Sequence, residues 1–198
     1  YLRENIREAI ASGADINKYV TSGATFLHQA ILTGDVDAVH LLLEAGADPS
    51  VPDKINNPPL HLACMHWHPA IVRVLIKKGA DVNGRGRWGE TPLYCACINK
   101  TSEIASILIE AGAKTDAPSA DGGTPLHQAC EGGCIDNIKF LLDHGADPCL
   151  ADKYGKIPLD CVLELDQDDP AREWIIDWYR EHHPELVMEV YCSRGRRP

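Results

Sequence analysis

The feature that most constrains this chain is a period. Leu27, Leu60, Leu93, Leu126 and Leu159 recur at intervals of 33 residues without a single insertion. Gly46, Gly79, Gly112 and Gly145 keep the same interval, each followed by alanine. Ala30, Ala63, Ala96 and Ala129 do so too, and Val162 continues their column. Three columns in one register describe copies of one supersecondary unit, each burying its apolar flank against the next.

The unit can be read from its residues. Thr25, Thr91 and Thr124 stand where a helix N-cap belongs, and Pro92 and Pro125 follow at the first helical position. A short helix then carries leucine and alanine inward. A second helix carries Val39/Val72/Ala105/Ile138, Leu42/Leu75/Leu108/Leu141 and Leu43/Ile76/Ile109/Leu142, spaced i, i+3, i+4 as one buried stripe. The column glycine ends that helix, where a left-handed residue is wanted. A polar loop follows, and its tip holds Gly23, Asn56, Gly89, Gly122 and Gly155. Asn56 fits that column because asparagine is the side chain that best tolerates positive φ.

At residues 124–156, "TPLHQACEGGCIDNIKFLLDHGADPCLADKYGK", the chain resembles the ankyrin repeat family. "TPLYCACINKTSEIASILIEAGAK" and "PPLHLACMHWHPAIVRVLIKKGADVN" match nearly as well. The resemblance implies an all-α repeat solenoid: paired antiparallel helices, projecting β-hairpin-like loops, and a concave binding face. A single domain is expected over 1–182, with a partial first repeat at 1–23, repeats near 24–56, 57–89, 90–122 and 123–155, and a capping repeat at 156–182. In that cap Asp169-Pro170 starts a helix whose Ala171, Trp174 and Ile175 stay in register while Arg172, Glu173, Asp177, Arg180 and Glu181 meet water. Residues 183–198 leave the register as a C-terminal tail.

"HLACMHWHPA" (61–70) reads like a metal site until it is placed in the repeat. His61 shares a column with His28 and His127, a histidine that in the family ties neighbouring loops. Cys64 shares one with Cys97 and Cys130, between packed helices. Zinc needs ligands converging to about 2.0–2.3 Å, and the register points these two elsewhere. Met65, His66 and Trp67 remain, at positions the family usually turns toward the concave face. No metal and no cofactor are expected.

Other chemistry finds no support. No GxGxxG or GxxxxGK[ST] occurs, and no cysteine or serine is matched to a base, so the chain is not expected to be an enzyme. A net charge of −10 argues against general nucleic-acid or anionic-membrane binding. No run of eighteen apolar residues occurs, so no membrane insertion is expected. With 44% apolar residues the chain does not need its eight cysteines as a disulfide framework, and a reduced intracellular protein, cytoplasmic or nuclear, is expected. The opening "YLRENIREAI" has neither an initiator methionine nor a secretion-signal pattern, so a piece of a longer protein is expected.

The family implies a protein–protein interaction module, monomeric as an isolated domain. Contact is expected from positions the repeat frees: Lys54, Ile55, Met65, His66, Trp67, Arg85, Arg87, Trp88, Glu90, Ile98, Asn99, Asp121, Glu131 and Tyr154. Trp, Tyr and Arg are the residues enriched at hot spots. From Asp53 to Lys100 there are seven basic residues against three acidic ones, while Pro158 to Val190 holds ten acidic against two basic. An acidic, apolar partner segment is therefore expected across the units between Lys54 and Lys100, with Trp88 as anchor and Arg87 as clamp. Asn83 matches a loop asparagine that oxygen-sensing hydroxylases modify in several family members, which makes it a candidate modification site. The competing readings are the substrate-recognition part of a ubiquitin ligase or other multidomain enzyme, and a nucleotide- or oligonucleotide-sensing array.

Overall fold

The computed structural model describes residues 1–20, 23–99 and 101–193, with backbone alone at 189 and 191–193. Helix α1 (Leu2–Ala11) stands first and unpaired. Five helical hairpins follow: α2 (Phe26–Leu32) with α3 (Val36–Glu44), α4 (Pro59–Met65) with α5 (Pro69–Lys77), and α6 (Pro92–Ala96) with α7 (Glu103–Glu110). Then come α8 (Pro125–Glu131) with α9 (Ile135–Asp143), and α10 (Pro158–Val162) with α11 (Pro170–His182). The first helices stack in one row, α2 to α4 to α6 to α8 to α10. The second helices and α1 form a parallel row behind them.

The core runs between the rows. Val39, Val72, Ala105, Leu42, Leu75, Leu108 and Leu141 are fully buried, so each second helix spends its stripe on its own hairpin and on the next one. The hairpins are also stapled through the histidine column. In the first complete unit, Thr25 N donates to His28 Nδ1 (3.3 Å), which leaves the proton on Nε2 facing Asn57 O of the next loop (3.3 Å). His127 repeats the pattern with Thr124 N (3.1 Å) and Lys156 O (2.9 Å). His61 keeps only half of it: Nε2 meets Glu90 O at 3.1 Å, but Pro58 stands in the threonine column and has no N–H, so Nδ1 is buried without a partner.

The C-terminal end closes the array. Asp169 caps α11 by accepting from Ala171 N (2.8 Å), and Ala171 and Ile175 are fully buried. Helix α12 (Pro184–Ser193) then packs on α11 and α10 and buries Val187 and Val190. The residues read as a tail thus contribute to the core as far as 190, while 194–198 lie outside the described residues. The seven described cysteines that the structure records as free include five that are buried.

Candidate functional site

Each unit projects a five-residue finger. The N–H of Val20, Asp53, Gly86, Ser119 and Asp152 donates to the carbonyl four residues on, at 2.8–3.0 Å. Neighbouring fingers are joined by backbone bonds: Lys54 N to Gly23 O, Ala120 N to Trp88 O, and Lys153 N to Asp121 O, each at 2.9 Å. Asn56 adopts φ 66°, in line with the glycines of its column. In the second and fifth fingers the leading aspartate organises the turn. Asp53 Oδ1 accepts from Ile55 N and Asn57 N, and Asp152 Oδ1 from Tyr154 N and Lys156 N.

The third finger solves the same problem from the other side, which corrects one expected contact residue. Gly86 replaces the aspartate, and the Glu90 carboxylate takes its place, with Oε2 accepting from Trp88 N at 2.6 Å. A Cβ on Gly86 would fall 2.5 Å from Glu90 Oε1 and 2.9 Å from the His61 ring. Glu90 is therefore buried under its own finger and is not available to a partner.

Three more expected contacts are spent on the fold. Asn99 Nδ2 donates to Cys64 O (3.0 Å) of the preceding unit, and its carbonyl accepts from Asn137 Nδ2 (2.5 Å) of the following one. The Arg85 guanidinium donates to Gly89 O (2.7 Å) and to Pro118 O, tying the stems of two fingers. It borders a hollow with Ile109, Ala113 and His144, on the second-helix side. Trp67 stands in the column of Gly34 and Gly133, at φ 54°, in the turn after α4. Its Nε1 donates to Thr101 of the next unit at 3.2 Å. That turn is at the far end of the first helix from the finger, about 10 Å away for a seven-residue helix. Trp67 and Trp88 thus belong to opposite ends of the first helices.

The remaining expectations divide. His66 is exposed in the same distant turn, its ring 6.4 Å from that of His68. Met65 is partly buried and packs on the core. Lys54 lies over the Tyr19 ring at 5.8 Å, and Arg87 lies over Trp88 at 4.5 Å, so both cations already face an aromatic of their own chain. Lys100 lies outside the described residues. Asn83 serves its turn: Nδ2 donates to Gly112 O (3.0 Å) and Oδ1 accepts from Lys114 N (2.9 Å). Asn17 makes the same pair of bonds to Gly46 O and Asp48 N, so the arrangement belongs to the column.

The fingertips are open. Ile55, Trp88 and Tyr154 are 52%, 66% and 69% exposed, and Ile98, in the turn after α6, is 50% exposed. Trp88 and Tyr154 also border a cavity of about 390 Å³ enclosed by the third to fifth fingers and by α6, α8 and α10. Tyr94, His127 and Cys161 line it from the helices, and Asp121, Glu131, Asp152 and Glu164 bring carboxylates to it. Lys156 is its one lining cation among the described residues, paired with Glu164 at 2.8 Å. Burial and then the Glu131 charge push the Tyr94 phenol up to about 12. Burial, Glu131 and Glu164 do the same to the Cys161 thiol, also to about 12. Both shifts report carboxylates facing a partly desolvated space.

Four of the expected residues, Trp88, Asp121, Glu131 and Tyr154, come together here. Tyr94, Asp152, Cys161 and Glu164 were missed. Two of them had a signal in the columns: Glu164 follows Glu131 by 33 residues, and Tyr94, like Asp160, departs from the histidine column.

A family model described as ankyrin repeats (3 copies) matches residues 2–86 and 83–152. A 41-residue stretch is 51% identical to human Ankyrin repeat domain-containing protein 29, covering 21% of this chain and 14% of that protein. A 50-residue stretch is 42% identical to Protein phosphatase 1 regulatory subunit 27 of human and of mouse, covering 25% of this chain and 32% of those proteins. The likeness to these relatives is thus local, spanning a third of their length or less. The family match runs without a gap from residue 2 to 152, over stacked helical hairpins stapled by a repeating histidine. The chain belongs to the ankyrin repeat family.

Proposed function

We propose that this chain is a protein-interaction module whose contact face is the groove between the third and fifth fingers and helices α6, α8 and α10. Ankyrin repeats are in general such modules, and one relative is, by its name, a regulatory subunit of a phosphatase. The observation that carries the reading is Trp88. It is two-thirds exposed, borders a walled hollow, and touches Arg87 rather than the core. A large ring left in water beside a cavity is the arrangement of a binding anchor.

The chemistry of the cavity supports binding over catalysis. Its thiol, Cys161, is held protonated at neutral pH by burial and neighbouring carboxylates, so it is a poor nucleophile. Its histidine, His127, is committed at both ring nitrogens to Thr124 and Lys156.

The experiment is site-specific photo-crosslinking. A photoreactive residue at Tyr154 or at Glu131 should trap protein partners in cell extract, and Trp88→Ala should remove those adducts. The same residue at Lys77, on the outer helices, should trap none of them. Adducts at Lys77 and none at Tyr154 would overturn the reading.

A further inference from the structure

The concave column that follows the first helices changes character along the array. Leu32, Met65 and Ile98 are apolar, whereas Glu131 and Glu164, the next two positions, are carboxylates. These two acids line the cavity together with the aromatic residues Trp88, Tyr94 and Tyr154. Asp121 and Asp152 add two more carboxylates, and the nearby cations are Lys156 and Lys153, the latter paired with Asp121. Four carboxylates against two ammonium groups and the Arg87 guanidinium on Trp88 leave an excess of one negative charge in a space that is walled on several sides.

Resting on the groove reading above, we propose that the segment bound there is basic: it inserts a lysine or arginine side chain into the cavity that the Trp88 and Tyr154 rings border, with its charge toward Glu131 and Glu164. The aliphatic stem of such a side chain lies against aromatic faces, and its cationic end meets both the ring quadrupoles and the carboxylates. An acidic segment, which the charge count along the chain favours, would meet like charge at this site instead. Arg85 and Lys54, two of the basic residues behind that count, are engaged elsewhere. Arg85 is bonded on the other side of its finger, and Lys54 lies over Tyr19 in the second finger. Arg87 lies over Trp88 at 4.5 Å and Lys153 over Tyr154 at 4.9 Å, and both rings still expose most of their surface to a guest.

The chemistry sets the order of the contacts. Glu131 is exposed and approaches no cation of its own chain among the described ion pairs, so its charge steers a basic segment in from solvent. Glu164 shares its charge with Lys156, and a guest ammonium would compete for it.

The test uses the 198-residue chain and an array of peptides of equal length: basic–apolar, acidic–apolar and neutral–apolar. Basic–apolar peptides should be retained preferentially, and their binding should weaken as salt is raised. Glu131→Gln/Glu164→Gln should weaken them about tenfold with the melting temperature unchanged. Glu131→Lys alone, which breaks no ion pair, should weaken them further and is the safeguard if the double variant loses stability. Retention of acidic peptides in a manner that Trp88→Ala abolishes would overturn the basic-guest proposal while keeping the groove. Retention of basic peptides that Trp88→Ala leaves intact would overturn the groove reading itself. Failure of every peptide class to bind above the bare matrix would count against the proposal.

Discussion

The second and third units and the third to fifth units carry similar inventories of exposed aromatic and charged residues, and they use them in opposite ways. In the earlier stretch the polar groups are consumed by the fold: Glu90 under its finger, Arg85 on two stems, Asn99 between three units. In the later stretch Glu131 is exposed, Glu164 and Asp121 are paired with lysines at the surface, and the aromatic rings border a cavity. Surface ion pairs of that sort are cheap to open, about 0–1 kcal/mol each, whereas a buried carboxylate under a loop is not. A binding face is therefore marked by polar groups that the fold leaves uncommitted, and the density of such residues in the sequence does not reveal commitment.

The sharpest way to break this contrast is to truncate one residue on each side of it. Trp88→Ala should cost about 2 kcal/mol of partner binding, roughly thirtyfold, with an unchanged melting temperature, because the ring is two-thirds exposed. Isothermal titration and a thermal melt on the same sample separate the two effects. Asn99→Ala should do the reverse. It removes the Nδ2 bond to Cys64 O of the preceding unit, while the backbone carbonyl that accepts from Asn137 stays, and should cost about 1 kcal/mol of folding stability, read by urea denaturation, with affinity retained once the protein is folded. Trp67→Gly should be smaller still. It places glycine at a left-handed position, which relieves roughly 1 kcal/mol of strain, and gives up the Thr101 bond and some packing, so stability should change little and binding not at all. A marked loss of binding in the Trp67 variant would put the contact face at the turn end of the first helices, away from the fingers.

The staples give a pH dependence of known sign. Burial lowers the pKa values of His28 and His61 below the ordinary imidazole value of 6.5. The folded state thus favours neutral rings, and their contribution is fully present above 6.5. It is lost as pH falls through the lowered folded values, because the unfolded chain takes up those protons first. Thermal melts from pH 7.5 down to 5 should show a falling melting temperature, and His28→Gln/His61→Gln should flatten the part of that slope due to the two rings. An unchanged slope in the double variant would remove the staples as its cause.

The fold was almost fully legible because a solenoid core is a periodic object. Leucine, alanine and glycine columns state which faces are covered, and the histidine column states how loops are tied. The structure adds detail such as the Pro58 exception that leaves His61 Nδ1 unpaired. Helix α12 was missed because it leaves the register: Val187 and Val190 pack on the cap by a contact that no earlier unit makes. The site was half legible. Position in the column gave Trp88, Asp121, Glu131 and Tyr154, since those places face outward in every unit. It could not tell that Glu90 replaces an aspartate four residues away, because that exchange works only once Gly86 has made room. Nor could it tell that Arg85 turns toward the outer helices, since the direction of a long side chain is set by carbonyls from another finger.

The most direct measurement follows the four tryptophans separately. With 5-fluorotryptophan incorporated, Trp67, Trp88, Trp174 and Trp178 each give a fluorine resonance assignable by single substitution. On titration with a basic–apolar peptide, the Trp88 resonance should move to saturation while the other three stay in place. Movement of Trp67 with Trp88 stationary would contradict the account, because binding would then sit at the helix turns and not among the fingers.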